Sequence, residues 1–279
     1  MKISLVSARP KIARPDENLE KMKNFAEKID ADLIAFGELF LSGYMCKDEL
    51  RDVAQDIDGK AVRELSKVAM DKDCYIIFGM PLKEKLRGII RNAAVLVHPD
   101  GKVDAYKKIF LPTFGPFEEK LFFDEGEELK AFETRFGKIG IMICYDLFFP
   151  EVSRAYALQG ADLLVCISAS PSTTKEYFEK LLPARALENT VFLAYTNLVG
   201  TQEDLVFWGG SQIYDPLGKP ISKMEYFKEG YIVQEIDFGE IERARASRPV
   251  LRDLKPEIYH DLYRLSRGEH LLQRSTGKD

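Results

Sequence analysis

The chain has 279 residues, 46% of them apolar and 30% charged, with a formal net charge of -5 at pH 7. That is the balance of an ordinary globular protein, and no basic block is long enough to make nucleic acid a partner. No apolar run approaches the roughly 18–20 residues of a membrane span, and the N-terminal MKISLVSARPKI lacks the long apolar centre and cleavage site of a signal peptide, so a cytoplasmic protein is expected.

In chain order, short β-rich runs alternate with amphipathic helices. A first strand is expected at Lys2–Ala8 and a helix at Asp16–Ile29, where Leu19, Met22, Phe25, Ala26 and Ile29 recur at helical spacing. A strand at Asp32–Phe36, a helix at Lys60–Lys72 and strands at Tyr75–Met80 and Asn92–His98 follow, then the β-rich VDAYKK. The second half predicts a strand at Lys138–Ile143, a helix at Pro150–Gln159, a strand at Asp162–Ser168 and a helix at Tyr177–Glu188. Strands at Val191–Asn197, Ser211–Tyr214 and Tyr231–Ile236 and a helix at Gly239–Ala246 complete this part. LIAF, YIIFG, IGIMIC and LLVCIS are almost wholly apolar, as in strands covered on both faces, and a layered α/β domain over residues 1–247 follows. Pro99-Asp100-Gly101 and Asp215-Pro216-Leu217-Gly218 read as hairpin connections. No internal repeat is visible. Residues 248–279 read as a charged C-terminal tail with a helix around Pro256–Arg267, placed to pack on a partner subunit, and STGKD at its end is expected to be unstructured.

The cysteines Cys46, Cys74, Cys144 and Cys166 lack CxxC spacing, and the only histidines are His98, His260 and His270. Neither a zinc site nor a Cys–His dyad is expected, and no cofactor is implied. Cys166, within LLVCIS, reads as a small buried apolar side chain.

Cys144 differs by position. In KIGIMICYDLFFPE a buried strand runs into the cysteine, a turn follows, and Pro150 opens a helix at a position where proline is favoured. A strand, sharp turn and helix present a nucleophile at a sheet edge, with the N–H of the next residue, Tyr145, available to a reacting carbonyl oxygen. A thiol with an ordinary value of about 8.5 needs a partner to react at neutral pH. With no histidine near a motif, a carboxylate and a lysine are the alternatives. Glu38 emerges directly after the strand LIAFG, and Lys108 follows VDAYKK.

Taken together, FGELFLSGY, YKKIFLPTFGPFEE and ICYDLFFPE, in this order, resemble the three signature segments of the carbon–nitrogen hydrolase (nitrilase) superfamily. The resemblance spans nearly the whole chain and extends to SASPS, PARALENTVFLAYTNLVG and GGSQIYDPLGK. It implies a single-domain four-layer αββα sandwich that dimerises through its helices into a homodimer or higher homo-oligomer. It implies Cys144 as nucleophile, Glu38 as general base, Lys108 as catalytic lysine and Glu119 as a second glutamate beside them. Tyr44, Phe114, Tyr145 and Ser170 fall at substrate-contacting places, and Phe117, Phe148 and Trp208 offer further aromatic lining. TFGPFEE and NLVGTQEDLVFWGGSQIYDPLG are most similar to the glutamine-hydrolysing domain of NAD synthetases. Phe114, however, replaces the tyrosine of that domain, no arginine closely follows SASPS, and no nucleotide-binding Gly-Ser loop follows. Gly37 takes the place of a common proline. A stand-alone amidase on a small aliphatic amide is therefore expected. A nitrilase or an N-carbamoyl amine hydrolase uses the same groups. A catalytically silent binding protein is disfavoured by the intact Glu–Lys–Cys set, and a redox protein by the lack of a resolving cysteine.

Overall fold

The computed structural model describes residues 1–269; His270 and the terminal STGKD lie outside the described residues. Its strands are β1 (Lys2–Ser7), β2 (Leu33–Ala35), β3 (Tyr75–Lys83), β4 (Ile90–Val97), β5 (Val103–Lys107), β6 (Phe132–Thr134) and β7 (Gly137–Ile143). They continue with β8 (Ala161–Ser168), β9 (Phe192–Asn197), β10 (Val199–Gln202), β11 (Leu205–Trp208), β12 (Gln212–Tyr214), β13 (Pro220–Lys223) and β14 (Gly230–Glu235). The helices are α1 (Pro15–Lys28), α2 (Leu50–Val53), α3 (Lys60–Lys72), α4 (Glu119–Phe122), α5 (Pro150–Leu158), α6 (Lys175–Asn189), α7 (Gly239–Ser247) and α8 (Pro256–Ser266).

Two six-stranded sheets run in the orders β14-β1-β2-β3-β4-β5 and β6-β7-β8-β9-β12-β13. In each, three central strands are parallel and the outer ones antiparallel. The connections within the parallel part also match, while the edges differ, β6 leading directly into β7 and β14 reaching β1 from far along the chain. The helices α1 and α3 join the parallel strands of the first sheet, and α5 and α6 those of the second. The sequence shows no repeat, yet the chain builds one topology twice, because a βαβαβ path with a terminal hairpin needs only hydrophobic patterning and not residue identity.

Strand periodicity sorts the side chains of the first sheet. Leu33, Ala35, Tyr75, Ile77, Ala94 and Leu96 join one core with Ile139, Ile141, Ile143, Val165 and Ile167 of the second sheet. Their neighbours Ile34, Ile76, Phe78, Val95 and Val97 point the other way, onto Leu19, Met22 and Ala26 of α1 and Ala61, Val62, Leu65 and Ala69 of α3. On the far side Val152, Tyr156 and Ala157 of α5 and Phe178, Leu182 and Ala186 of α6 cover the second sheet. The four-layer αββα sandwich follows, as one domain. Burying the apolar surface of both faces, at roughly 25 cal/mol per Å², is its main stabilisation.

Both expected hairpins are present, β4–β5 through Pro99-Asp100-Gly101 and β12–β13 through Asp215-Pro216-Leu217-Gly218. The helix after residue 248 is α8, over Pro256–Ser266. The ribbon β10–β11 is additional. Its turn is Glu203-Asp204 rather than the Asn-Gly that marks tight hairpins, and Glu203 adopts a left-handed φ of 48° without glycine's freedom. The short edge strand β6 is also absent from the predicted elements, while β13 is the far arm of the hairpin expected at Asp215-Pro216-Leu217-Gly218.

Two glycines permit the contacts that shape the chain around residue 38. A Cβ on Gly79 would lie 2.2 Å from the Leu39 nitrogen and 2.7 Å from the Glu38 Cα. Backbone meets backbone there, so nothing could yield. A Cβ on Gly37 would lie 2.7 Å from Leu198 Cδ2 and 3.1 Å from the Ser168 carbonyl oxygen. The glycine in place of proline thus lets the strand-end turn seat directly on the second sheet.

Candidate active site

The turns that leave β2, β5 and β7 converge between the two sheets. Glu38 donates its N–H to the Ser168 carbonyl at 3.3 Å, and its Oε2 accepts the Ala169 N–H at 2.8 Å, so the end of β8 grips it from the opposite sheet. The next residue, Leu39, takes a left-handed φ of 48°, which turns the chain back sharply. Lys108 follows β5, and its N–H donates to the Asn92 carbonyl at 2.8 Å. Its ammonium donates to Glu38 Oε1 at 2.6 Å and to Glu119 Oε1 at 2.7 Å. The Tyr44 hydroxyl donates to Glu119 Oε1 at 2.8 Å.

These charges are shut off from water: Glu38 and Lys108 are 0% exposed and Glu119 4%. An isolated buried charge is costly, and only mutual pairing with hydrogen bonds makes the arrangement tolerable. Burial works against the Lys108 ammonium, but Glu119 and then Glu38 outweigh it and hold the lysine above its ordinary range. Lys108 therefore stays charged. Burial pushes the Glu119 carboxyl up to about 7, against the pull of Lys108. Two carboxylates face one ammonium, and Glu119 is poised to carry a proton near neutral pH.

Cys144 begins the 3₁₀ turn Cys144–Phe148 immediately after β7 and takes a φ of 48°. A left-handed backbone at a non-glycine residue is strained and clusters at functional sites. Burial pushes its thiol well up, the Glu38 charge adds to this, and Lys108 pulls it down. The resting group is a thiol. The structure thus brings Glu38, Lys108, Glu119 and Cys144 into one electrostatic cluster.

Two further residues, unremarked in the sequence, hold the turn, and a third sits beneath Glu38. The Asp146 carboxylate accepts the Ile143 N–H at 2.9 Å, the Phe110 N–H at 3.0 Å and the Tyr106 hydroxyl at 2.8 Å. It ties the segment carrying Lys108 to the one carrying Cys144, and burial raises it to about 6, which leaves it ionised at neutral pH. Arg185 of α6 donates through Nε to the Leu147 carbonyl at 2.9 Å, clamping the far end of the same turn. Asn92 on β4 is fully buried and donates to Glu38 Oε1 at 2.8 Å. Only the placement of Asp146 two residues after the cysteine, in a buried turn, offered a signal beforehand.

The aromatic residues form a continuous wall. Ring centroids are 6.4 Å apart for Tyr44–Phe117, 5.5 Å for Phe117–Phe114, 5.3 Å for Phe114–Tyr145 and 5.4 Å for Tyr145–Phe148. Phe114 is exposed and stands at the outer rim. Ser170 is buried; its hydroxyl accepts the Trp208 Nε1–H at 3.1 Å and pairs with the Thr174 hydroxyl at 2.7 Å. Trp208 itself is fully buried and stacks on Tyr195, so it braces Ser170 from the core rather than presenting a ring at the wall. Among the described residues no three His, Cys, Asp or Glu side chains converge to hold a metal ion, and no helix is long and apolar enough to cross a membrane.

Residues 2–246 match the family model described as carbon-nitrogen hydrolase. A protein named nitrilase from Pyrococcus abyssi is 34% identical over 268 residues, 93% of this chain and 99% of that protein. A glutamine-dependent NAD(+) synthetase from Aquifex aeolicus is 35% identical over 232 residues, which span 81% of this chain and 40% of the synthetase. Among solved structures, a glutamate-to-glutamine mutant of the amidase from Nesterenkonia sp. AN1 superimposes with a TM-score of 0.81 at 29% identity, covering 94% of this chain and 96% of that one. It shows covalent addition of the acetamide moiety of fluoroacetamide at the active-site cysteine. The chain belongs to the carbon–nitrogen hydrolase family, and is a hydrolase of the nitrilase superfamily.

The Glu119 environment predicts a stability signature. Its folded-state value, about 7, lies above the ordinary glutamate value of 4.5, so the folded chain keeps this proton while the unfolded chain releases it. Stability from this group therefore falls as pH rises from 4.5 to about 7. Each tenfold difference in proton affinity between the folded and unfolded chain is worth about 1.4 kcal/mol. Urea unfolding of wild type and Glu119→Gln across that range should show their free-energy difference drifting against wild type by about 1–3 kcal/mol. A constant difference would mean that Glu119 titrates as a solvated carboxyl.

Proposed function

We propose that the chain hydrolyses the C–N bond of a small aliphatic amide through a thioester on Cys144. The observation that carries this is the buried Glu38–Lys108–Glu119 cluster set against a cysteine on a strained strand-end turn. Glu38 accepts the Cys144 proton as the sulfur attacks the amide carbon. The C=O electron pair moves to oxygen, and the Lys108 ammonium and the Tyr145 N–H hold the oxyanion, where one such donor is worth about 3 kcal/mol. Glu38 returns the proton to nitrogen, the C–N bond breaks and ammonia departs. Water then gives a proton to Glu38 and attacks the thioester; the C–S bond breaks, the acid is released and Cys144 recovers its proton from Glu38.

The covalent adduct on the cysteine of the related Nesterenkonia amidase supports this route. The aromatic wall from Tyr44 to Phe148 supports a short, apolar acyl group. A nitrile is the second reading, supported by the relative named nitrilase. There the sulfur adds to the C≡N carbon, and water converts the thioimidate to the same thioester with loss of ammonia. Ammonia release from a panel of short amides, nitriles and N-carbamoyl amines separates these. Turnover of acetamide or propionamide ahead of the matching nitriles supports the first reading, and nitrile preference replaces it. Cys144→Ala should keep the wild-type unfolding midpoint and lose turnover. Wild-type rates in that variant would remove Cys144 from the reaction.

We also infer a homodimer in which residues 248–279 pack on the partner subunit. Ile258, Leu262, Tyr263 and Leu265 of α8 are exposed, as are Leu158 at the end of α5 and Tyr177 and Leu187 of α6. Sedimentation should give a dimer for the full chain and a weakened or monomeric species for a chain ending at residue 247; identical behaviour would detach the tail from assembly. The four free cysteines, all buried, suit a reducing compartment such as the cytoplasm.

A further inference from the structure

Asn92 stands out on β4 as a polar residue among apolar ones, in the run RNAAVLV. It shares an inward face with Ala94 and Leu96, which reach the core between the sheets. At the end of that face it is fully buried beneath the charged cluster. It touches all three charged residues. Its Nδ2 donates to Glu38 Oε1 at 2.8 Å and to Glu119 Oε2 at 3.4 Å, and its backbone carbonyl accepts the Lys108 N–H at 2.8 Å.

The side-chain orientation follows from charge. Turned over, the amide would set its own oxygen against two carboxylates. As placed, Oδ1 is left buried with no partner, a cost that a leucine at this position would not carry. Stability alone does not account for this residue. What the amide supplies is a donor that favours the charged form of whichever carboxylate it reaches more closely. That carboxylate is Glu38, by 2.8 Å against 3.4 Å.

We propose that Asn92 is the positioning residue that keeps Glu38 as the proton acceptor, by donating preferentially to its carboxylate and leaving the excess proton of the cluster to Glu119. This rests on the thioester reading above. The two carboxylates share one ammonium, and each has one further donor, the Ala169 N–H for Glu38 and the Tyr44 hydroxyl for Glu119. Without the amide, the proton would be divided between them, and the fraction of chains with an ionised group beside Cys144 would fall. Asn92 need not touch the substrate, since it acts through Glu38.

The test uses two near-isosteric variants, Asn92→Leu, which lacks a donor, and Asn92→Asp, which has one only when protonated. Two pH profiles are read for each: kcat/KM for ammonia release from a short amide, and the rate of carbamidomethylation of Cys144 by iodoacetamide, followed by intact mass. The second needs no turnover. Asn92→Leu should lose about ten- to a hundredfold in kcat/KM with KM little changed, and the acid limb of both profiles should move to higher pH. Asn92→Asp should fall further behind wild type as pH rises. Unmoved limbs in both variants, with only a lower melting temperature or a uniform loss of rate, would reduce Asn92 to a structural residue and overturn the proposal. A wild-type protein that releases no ammonia would instead reject the hydrolysis reading, while the alkylation profiles would still judge Asn92.

Discussion

The Lys108 ammonium, held between the Glu38 and Glu119 carboxylates with no exposure to solvent, is the interaction on which the site depends. Any one of these charges would be expelled from the interior. Three together persist because each hydrogen-bonds the next and because the surroundings supply further donors, the Ala169 N–H and the Tyr44 hydroxyl. Such a cluster can relocate a proton without importing or losing net charge. That is what a buried thiol would need from its neighbours where no described histidine acts on it.

The fold serves this by bringing strand ends together. β2, β5, β7 and β8 belong to two different sheets, yet their carboxyl ends meet at the same edge of the sandwich. Glycine at position 37 removes the side chain that would hold the strand-end turn off the second sheet, and glycine at position 79 lets β3 lie directly against the backbone of Glu38 and Leu39. Left-handed backbone at Leu39 and Cys144 then turns each chain away immediately after the functional side chain. Asp146 ties the Cys144 turn to the segment carrying Lys108, Arg185 clamps the far end of that turn to α6, and Glu38 is held separately by Ser168 and Ala169, so these groups are placed by hydrogen bonds to main chain and not by loop preference.

Much of this was legible from the residues. Near-continuous apolar runs located the central strands, because burial on both faces leaves little else in a strand, and apolar residues at helical spacing located the four covering helices. The catalytic candidates emerged from three segments in a fixed order, since a thiol, a carboxylate and a lysine at strand ends form a distinctive set. Asn92 and Arg185 did not emerge. Each lies inside an ordinary element, and its importance arises from a partner far along the chain, which local pattern does not encode. Trp208 departs from expectation for the same reason: an aromatic residue near a motif reads as pocket lining until its burial against Tyr195 is known. The doubled topology left no trace, because pattern and not identity is what the two halves share.

The proposed hydrolysis in this dry cluster turns on Glu38 taking the proton from Cys144. The most direct measurement is the single-turnover rate of acyl transfer from a short amide to the peptide containing Cys144, in wild type and in Glu38→Gln. Wild type should accumulate or pass through the acyl adduct with one ammonia per chain, and the variant should acylate slower by about two to four orders of magnitude. Acylation of Cys144 at the wild-type rate in Glu38→Gln, or an adduct on another residue, would contradict it.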